Sequence, residues 1–184
     1  MMKQYVLVIQ GGGEGAYDED GRLAADLQQA LGAAYDVRYP RMPNEEAPEY
    51  KLWKARIAEE LATFDGKAMI VGHSLGGSIV LKYLTEEQID TPIAGLFLLA
   101  APYWNGGDAD WQYDGFVLRE GFASKLSNIP RICLYHSRDD DTVPFTHLAL
   151  YAEKLPQATI CEFDDRGHQF KSALSEVAAD ITNG

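Results

Sequence analysis

Six short apolar runs recur along the chain: Gln4–Gln10, Tyr35–Tyr39, Ala68–Gly72, Ile93–Ala100, Arg131–His136 and Thr159–Phe163. Most are continuous in apolar residues rather than alternating, the signature of parallel strands covered on both faces. Helical spacing fills the intervals. Leu23, Leu27 and Leu31 step by four and stop at Gly32, a C-terminal stop signal. Pro48 reads as a first-turn proline, followed by a face of Trp53, Ile57, Leu61 and Phe64. Leu75, Ile79, Val80, Tyr83 and Leu84 mark a third helix, and Leu148, Ala152 and Leu155 a fourth. Phe170, Leu174, Val177, Ala178 and Ile181 mark the last. The alternation predicts an α/β chain with a doubly wound parallel sheet and helices on both faces. No repeat, low-complexity tract or linker interrupts it, so residues 1–184 are expected to form one domain.

One stretch breaks the rhythm. Residues 101–115 lack periodicity, are rich in turn formers and carry Tyr103, Trp104, Trp111 and Tyr113. A long aromatic loop after the carboxyl end of a strand is where an open α/β sheet places ligands. The plainer alternative is a surface loop whose aromatic rings pin it to the body.

Composition narrows the function classes. With 16 basic against 28 acidic residues the net charge is −12, which repels phosphate backbones and anionic membranes. Neither nucleic acid nor a membrane is an expected partner. The longest apolar stretch, residues 93–102, is about half of a membrane span, and the N-terminal run is too short for a signal-peptide core. Cys133 and Cys161 do not make a disulfide framework, and both are expected as buried, reduced thiols. The chain reads as soluble and cytoplasmic.

Chemistry concentrates in three places. Gly72-His73-Ser74-Leu75-Gly76 is a G-x-S-x-G sequence between a strand run and a helical stripe. In that context the serine sits on a sharp strand-to-helix turn, and the residues two before and two after it approach too closely to carry side chains. A serine nucleophile needs a base. Of the four histidines, His73 lies within the turn and should point away from Ser74; His147 opens a helix, where a solvated ring is common; and His136 ends a strand. His168 follows the last strand and a glycine, on the same sheet edge as Ser74, and is the expected base. The imidazole in turn needs a carboxylate, and Asp139, Asp140 and Asp141 all lie in the loop after the fifth strand. That aspartate run does not fit a calcium loop, since Val143 falls where an oxygen ligand belongs and no glycine follows.

Gly72–Gly76, Asp140-Asp141-Thr142-Val143-Pro144 and Gly167-His168, in that order, resemble the α/β-hydrolase family. More narrowly they resemble its minimal, lidless serine hydrolases of the retinoblastoma-binding type and their bacterial relatives. The resemblance spans nearly the whole chain. It implies the minimal α/β-hydrolase fold, with a six-stranded parallel sheet in the order 2-1-3-4-5-6. An Asp-x-x-Val-Pro pattern selects Asp140, giving Ser74, His168 and Asp140 as the catalytic set. The N–H of Leu75 is the first oxyanion donor. The first loop departs from the family: it reads Gln10-Gly11-Gly12-Gly13 where many hydrolases begin His-Gly. The second donor therefore lies between Gly12, the assigned one, and Gly13. Gly13, His73, Tyr103, Trp104 and Trp111 are the expected substrate contacts.

The expected activity is hydrolysis of small acyl esters through an acyl-enzyme, with no metal and no cofactor. Two rival classes remain. Gly11-x-Gly13-x-x-Ala16 has dinucleotide-binding spacing, but the acid that should end the second strand is misplaced, with Asp36 inside it. A phosphate loop fails for want of Gly-Lys-Ser/Thr. A catalytically silent binding protein on the same fold is the other rival.

Overall fold

The computed structural model describes residues 4–183. Its strands are β1 (Gln4–Ile9), β2 (Tyr35–Arg38), β3 (Ala68–His73), β4 (Ile93–Leu99), β5 (Ile132–Ser137) and β6 (Thr159–Phe163). Its helices are α1 (Ala16–Leu31), α2 (Tyr50–Leu61), α3 (Leu75–Glu86), α4 (Thr146–Lys154) and α5 (Ser175–Thr182). All strand pairs are parallel, and the sheet runs β2-β1-β3-β4-β5-β6, the order the resemblance implied.

Side chains alternate between the two faces along each strand, so each continuous apolar run feeds two cores. Leu7, Ile9, Ile70, Leu96, Leu98, Ile132 and Leu134 face Trp53 and Ile57 of α2, Ile79 and Val80 of α3, and Leu148 and Tyr151 of α4. Val6, Val8, Met69, Val71, Phe97, Leu99 and Tyr135 face Leu23 and Leu27 of α1 and Val177 and Ile181 of α5. Trp53 is fully buried, and its indole N–H donates to the Pro43 carbonyl at 2.8 Å, so a large ring is sheltered without stranding a donor. Gly32 closes α1 in a positive-φ conformation, as its position suggested.

Several expectations change. Pro48 precedes α2, whose first residue is Tyr50, so it directs the entry and is not part of the first turn. Phe64 is buried but lies beyond the end of α2. The last helix starts only at Ser175. Phe170 and Leu174 are buried but precede it, because Phe170, Lys171 and Ser172 turn left-handed with φ of 51°, 50° and 54°. β6 is a sheet edge and is mostly exposed or half-buried, so only Cys133 of the two thiols is fully buried; both are unpaired. No helix of the described residues is long and apolar enough to cross a membrane.

The carboxyl ends of β1, β3, β5 and β6 open on one edge, and the loops leaving them carry every residue of the candidate site. The sheet and α3 meet most tightly at Gly76. A Cβ there would lie 2.2 Å from the Gln10 carbonyl oxygen and 2.6 Å from that of Ile9. Because those atoms are backbone, they cannot rotate away. Gly76→Ala should therefore destabilise the fold by about 1–3 kcal/mol or more; urea unfolding that leaves the midpoint unchanged would contradict this close contact.

Candidate active site

Ser74 sits between β3 and α3 with φ 51° and ψ −127°, a strained conformation for a residue with a side chain. Its amide donates to the Leu99 carbonyl at 2.8 Å, and its carbonyl accepts from Gly77 at 2.9 Å. Gly72 is needed opposite this turn, since a Cβ there would meet the Gly77 Cα at 2.6 Å. Two backbone glycines thus let the strand and helix close around one serine.

Asp140 lies in the loop after β5, its side chain fully buried. The N–H groups of Thr142 and Val143 each donate to Oδ1 at 2.9 Å. His168 places Nδ1 2.8 Å from Oδ2 and 3.1 Å from Oδ1. His136, also buried, directs Nε2–H between the Val143 carbonyl at 3.0 Å and Asp140 Oδ2 at 3.2 Å. Burial works against the charged carboxylate, but these donors outweigh it and hold Asp140 well below the usual carboxylate range. An ionised Asp140 only accepts, so His168 carries its proton on Nδ1 and keeps Nε2 as the free nitrogen.

Asp139 has a different task. Its Oδ1 accepts from Ser137 Oγ at 2.5 Å and from the Gly167 N–H at 2.8 Å, and Ser137 Oγ accepts from Arg166 N–H at 2.8 Å. Asp139 thereby ties the loop carrying His168 to β5. Asp141 is exposed and bonds only Thr142 Oγ1. The three consecutive aspartates are sorted by direction, one to the imidazole, one to the loop backbone and one to solvent.

Ser74 and His168 line a common cleft of about 710 Å³ with Gly11, Gly12, Asp20 and Gln169. Among the described residues, no hydrogen bond joins Ser74 Oγ to His168 Nε2, a looseness common before substrate binds. The first loop separates its three amides by partner. Gly11 N–H donates to Asp20 Oδ2 at 2.7 Å, and Gly13 N–H donates to the Glu45 carbonyl at 2.6 Å. The N–H groups of Gly12 and Leu75 have no partner among the described residues. Gln10, where many hydrolases have histidine, is buried and braces this loop: its amide donates to Glu45 Oε2 at 2.8 Å and its carbonyl accepts from Met42 N–H at 2.8 Å.

The expected substrate contacts need correction. Gly13 is turned to Glu45 and is not part of the cleft lining. His73 borders the cleft, but its side chain is only 3% exposed, with Nδ1 2.8 Å from Asp20 Oδ2 and Nε2 2.9 Å from the His168 carbonyl, so both ring nitrogens are engaged within the protein. Burial depresses its imidazole, but the Asp20 charge and hydrogen bonds more than offset this and raise it above its ordinary value. Tyr103, Trp104 and Trp111 do not line the cleft either. Trp104 packs against Trp111 and Phe116 with ring centres 5.2 and 5.1 Å away, and Tyr103 packs against Tyr151 at 4.9 Å. His147, expected as solvated, is buried; its Nδ1 accepts from Tyr103 N–H at 2.7 Å and so anchors the aromatic loop.

Sequence reasoning missed Asp20. It falls on the buried stripe of α1 with Ala16, Leu23, Ala24 and Leu27, and an acid on an apolar helical face is the signal that could have found it.

A family profile described as serine hydrolase matches residues 16–174. The chain belongs to the serine hydrolase family. This family lies within the α/β-hydrolase superfamily. A curated relative, serine hydrolase RBBP9 of Rattus norvegicus, is 27% identical over 168 residues, covering 90% of this chain and 86% of the relative. The structure of the ydeN gene product from B. subtilis superposes with a TM-score of 0.71 at 20% identity, covering 99% of this chain and 98% of that one. A YdeN-like hydrolase from Pectobacterium atrosepticum has a TM-score of 0.71 at 18% identity, with 98% and 90% covered. At such identities the two structures speak for the fold. In this serine hydrolase Gln10 holds the first loop through Glu45 and Met42, and the Gly12 amide has no partner among the described residues.

The buried Asp140 sets an acid limit. A carboxylate whose folded pKa is depressed contributes stability above its ordinary value, here 3.8, and loses that contribution as pH falls toward the folded value. Wild-type protein should therefore lose more Tm than Asp140→Asn between about pH 4 and pH 2. Parallel Tm–pH curves for the two would contradict the pairing.

Proposed function

We propose that this serine hydrolase cleaves small, uncharged acyl esters through an acyl-enzyme, with Ser74 as nucleophile, His168 as base and Asp140 as its orienting acid. The observation that carries this reading is the Asp140–His168 hydrogen bond in the cleft that holds the strained Ser74. Ser74 Oγ attacks the ester carbonyl while His168 Nε2 takes the hydroxyl proton. Asp140 fixes the imidazole tautomer and stabilises the imidazolium. The oxyanion is received by the Leu75 and Gly12 N–H groups, neither of which has a partner among the described residues. His168 then returns the proton to the leaving alkoxide, and the acyl-Ser74 ester is hydrolysed by a water deprotonated at the same Nε2. The scheme draws on side chains and backbone alone.

Two features support a small, uncharged acyl group. The β4–β5 connection contains only short 3-10 turns among the described residues, and its aromatic rings pack on one another rather than extending the cleft. The cations beside the cleft are already paired, Arg166 with Glu176 at 2.5 Å and Lys171 with Asp165 at 2.8 Å, whereas Glu19 and Asp141 are exposed there. An anionic acyl group would find repulsion and no free partner. Unpaired thiols and the −12 charge suit work on a small molecule in the reducing cytoplasm, away from nucleic acid.

Ser74→Ala should lower turnover of nitrophenyl acetate at least about 10³-fold; equal rates would refute the nucleophile. Asp140→Asn should cost about 10⁴-fold in kcat, much more than Asp139→Asn or Asp141→Asn; a larger loss at either neighbour would overturn the choice of acid. Across nitrophenyl esters from acetyl to palmitoyl, kcat/KM should peak at about two to six carbons, since the aromatic loop packs on itself and adds no apolar wall to the cleft for a longer chain. Fluorophosphonate labelling at Ser74 without turnover of any ester would place the acyl group outside this class, and absence of labelling would favour a silent binding protein.

A further inference from the structure

We infer that His73 is a buried imidazolium, paired with Asp20, that positions the end of β3, which leads into Ser74 and Leu75, relative to the loop carrying His168. The role rests on the proposed hydrolytic reading; the protonation state rests on the hydrogen bonds and charges around the ring. The His168 carbonyl can only accept, so His73 Nε2, 2.9 Å away, must donate. Asp20 Oδ2 already accepts from Gly11 N–H at 2.7 Å, and Oδ1 accepts from Gln169 Nε2 at 3.1 Å. Both oxygens thus serve as acceptors, and one further proton lies on the 2.8 Å contact between Oδ2 and His73 Nδ1. Against the cost of burial, the charge and donors around Asp20 hold its carboxyl below its ordinary value and raise His73, which puts that proton on the ring. A ring that donates from both nitrogens is protonated. Beside an ionised Asp20, a neutral ring would set a lone pair against an oxygen at one of the two contacts. Both side chains are 3% exposed, so neither charge is tolerable without the other.

The pair joins four segments. Asp20 comes from α1, Gly11 leaves β1 immediately before Gly12, His73 ends β3 immediately before Ser74, and His168 and Gln169 belong to the base loop. The base loop needs such a tether, because Phe170, Lys171 and Ser172 follow His168 in left-handed conformations that cost free energy. The titratable groups facing His73 are Asp20 from α1, His168 with its ring centre 4.8 Å away, and Asp140 from the loop after β5. Because the lock needs the proton, it is present at neutral pH and is lost as pH rises through the His73 titration.

Two measurements test this. In a ¹⁵N–¹H correlation spectrum of the wild-type protein at about pH 7.5, where a free histidine is largely neutral, both ring nitrogens of His73 should be protonated. A single protonated nitrogen in the folded protein would overturn the proposal. Asp20→Asn removes the counter-charge, so either the neutral ring gives up one contact or the new amide, turning its NH2 to Nδ1, abandons the Gly11 N–H. It should lower kcat about 10²-fold, the scale of a 1 Å misplacement. KM should stay within about twofold, and affinity for a boronate transition-state analogue should fall by the same factor as kcat/KM. Its alkaline loss of kcat should also begin at lower pH than in wild type. Unchanged kcat would overturn the positioning role, as would a loss confined to KM. If Asp20→Asn does not fold, the wild-type spectrum still decides. If the wild type turns over no ester, the hydrolytic reading fails while the spectrum still judges the ion pair.

Discussion

The contact between the backbone of α3 and that of β1 governs the rest of the site. Gly76 lies against the carbonyls of Ile9 and Gln10, and Gly72 lies against Gly77. Neither approach leaves room for a methyl group. Because the helix comes this close, its first residue, Leu75, stands against Gly12 of the loop leaving β1, beside the cleft that Gly12 and Ser74 line. The same closeness forces the turn at Ser74 into its positive-φ conformation. Two buried layers of apolar side chains hold the sheet against which this strain is maintained.

Electrostatics organises the second half of the site. All four histidines face an aspartate: His73 with Asp20, His136 and His168 with Asp140, and His147 with Asp108. These pairs differ in proton count, and the difference sets their roles. Asp140 receives two backbone and two imidazole donors, which fixes it as an anion and leaves His168 Nε2 open to the cleft. His147 accepts a backbone N–H through Nδ1, so it anchors the aromatic loop as a neutral ring. His73 faces acceptors on both sides and answers with two donors. An acidic protein thus uses its few histidines as internal partners for carboxylates, not as surface charges.

Much of this was legible in the sequence. Continuous apolar runs fixed the parallel strands, because a strand buried on both faces needs apolar residues at successive positions. G-x-S-x-G between a strand and a helix located Ser74, because close backbone packing demands glycine at those two positions. Position after the last strand pointed to His168, while only the family resemblance chose Asp140 among three adjacent aspartates; the structure brings these two within 2.8 Å. Exceptions arose where burial or backbone direction depends on distant partners. β6 reads like the other strands but has a neighbour on one side only, and Phe170 and Leu174 continue an apolar stripe that a left-handed turn removes from the helix.

The sequence by itself therefore determined the class of fold and the sharp turn at Ser74, since those depend on local spacing and steric need. Tertiary structure decided which amides remain free. Gly12 differs from Gly11 and Gly13 only because Asp20 and Glu45, from elsewhere in the chain, bond its two neighbours. It also decided that His73, Tyr103, Trp104 and Trp111 serve the scaffold. Each is chemically suited to meet a ligand, but its ring nitrogens or faces are occupied by groups up to 95 residues away. A hydrogen-bond partner at that separation is set by the folded path of the chain, which no local pattern encodes.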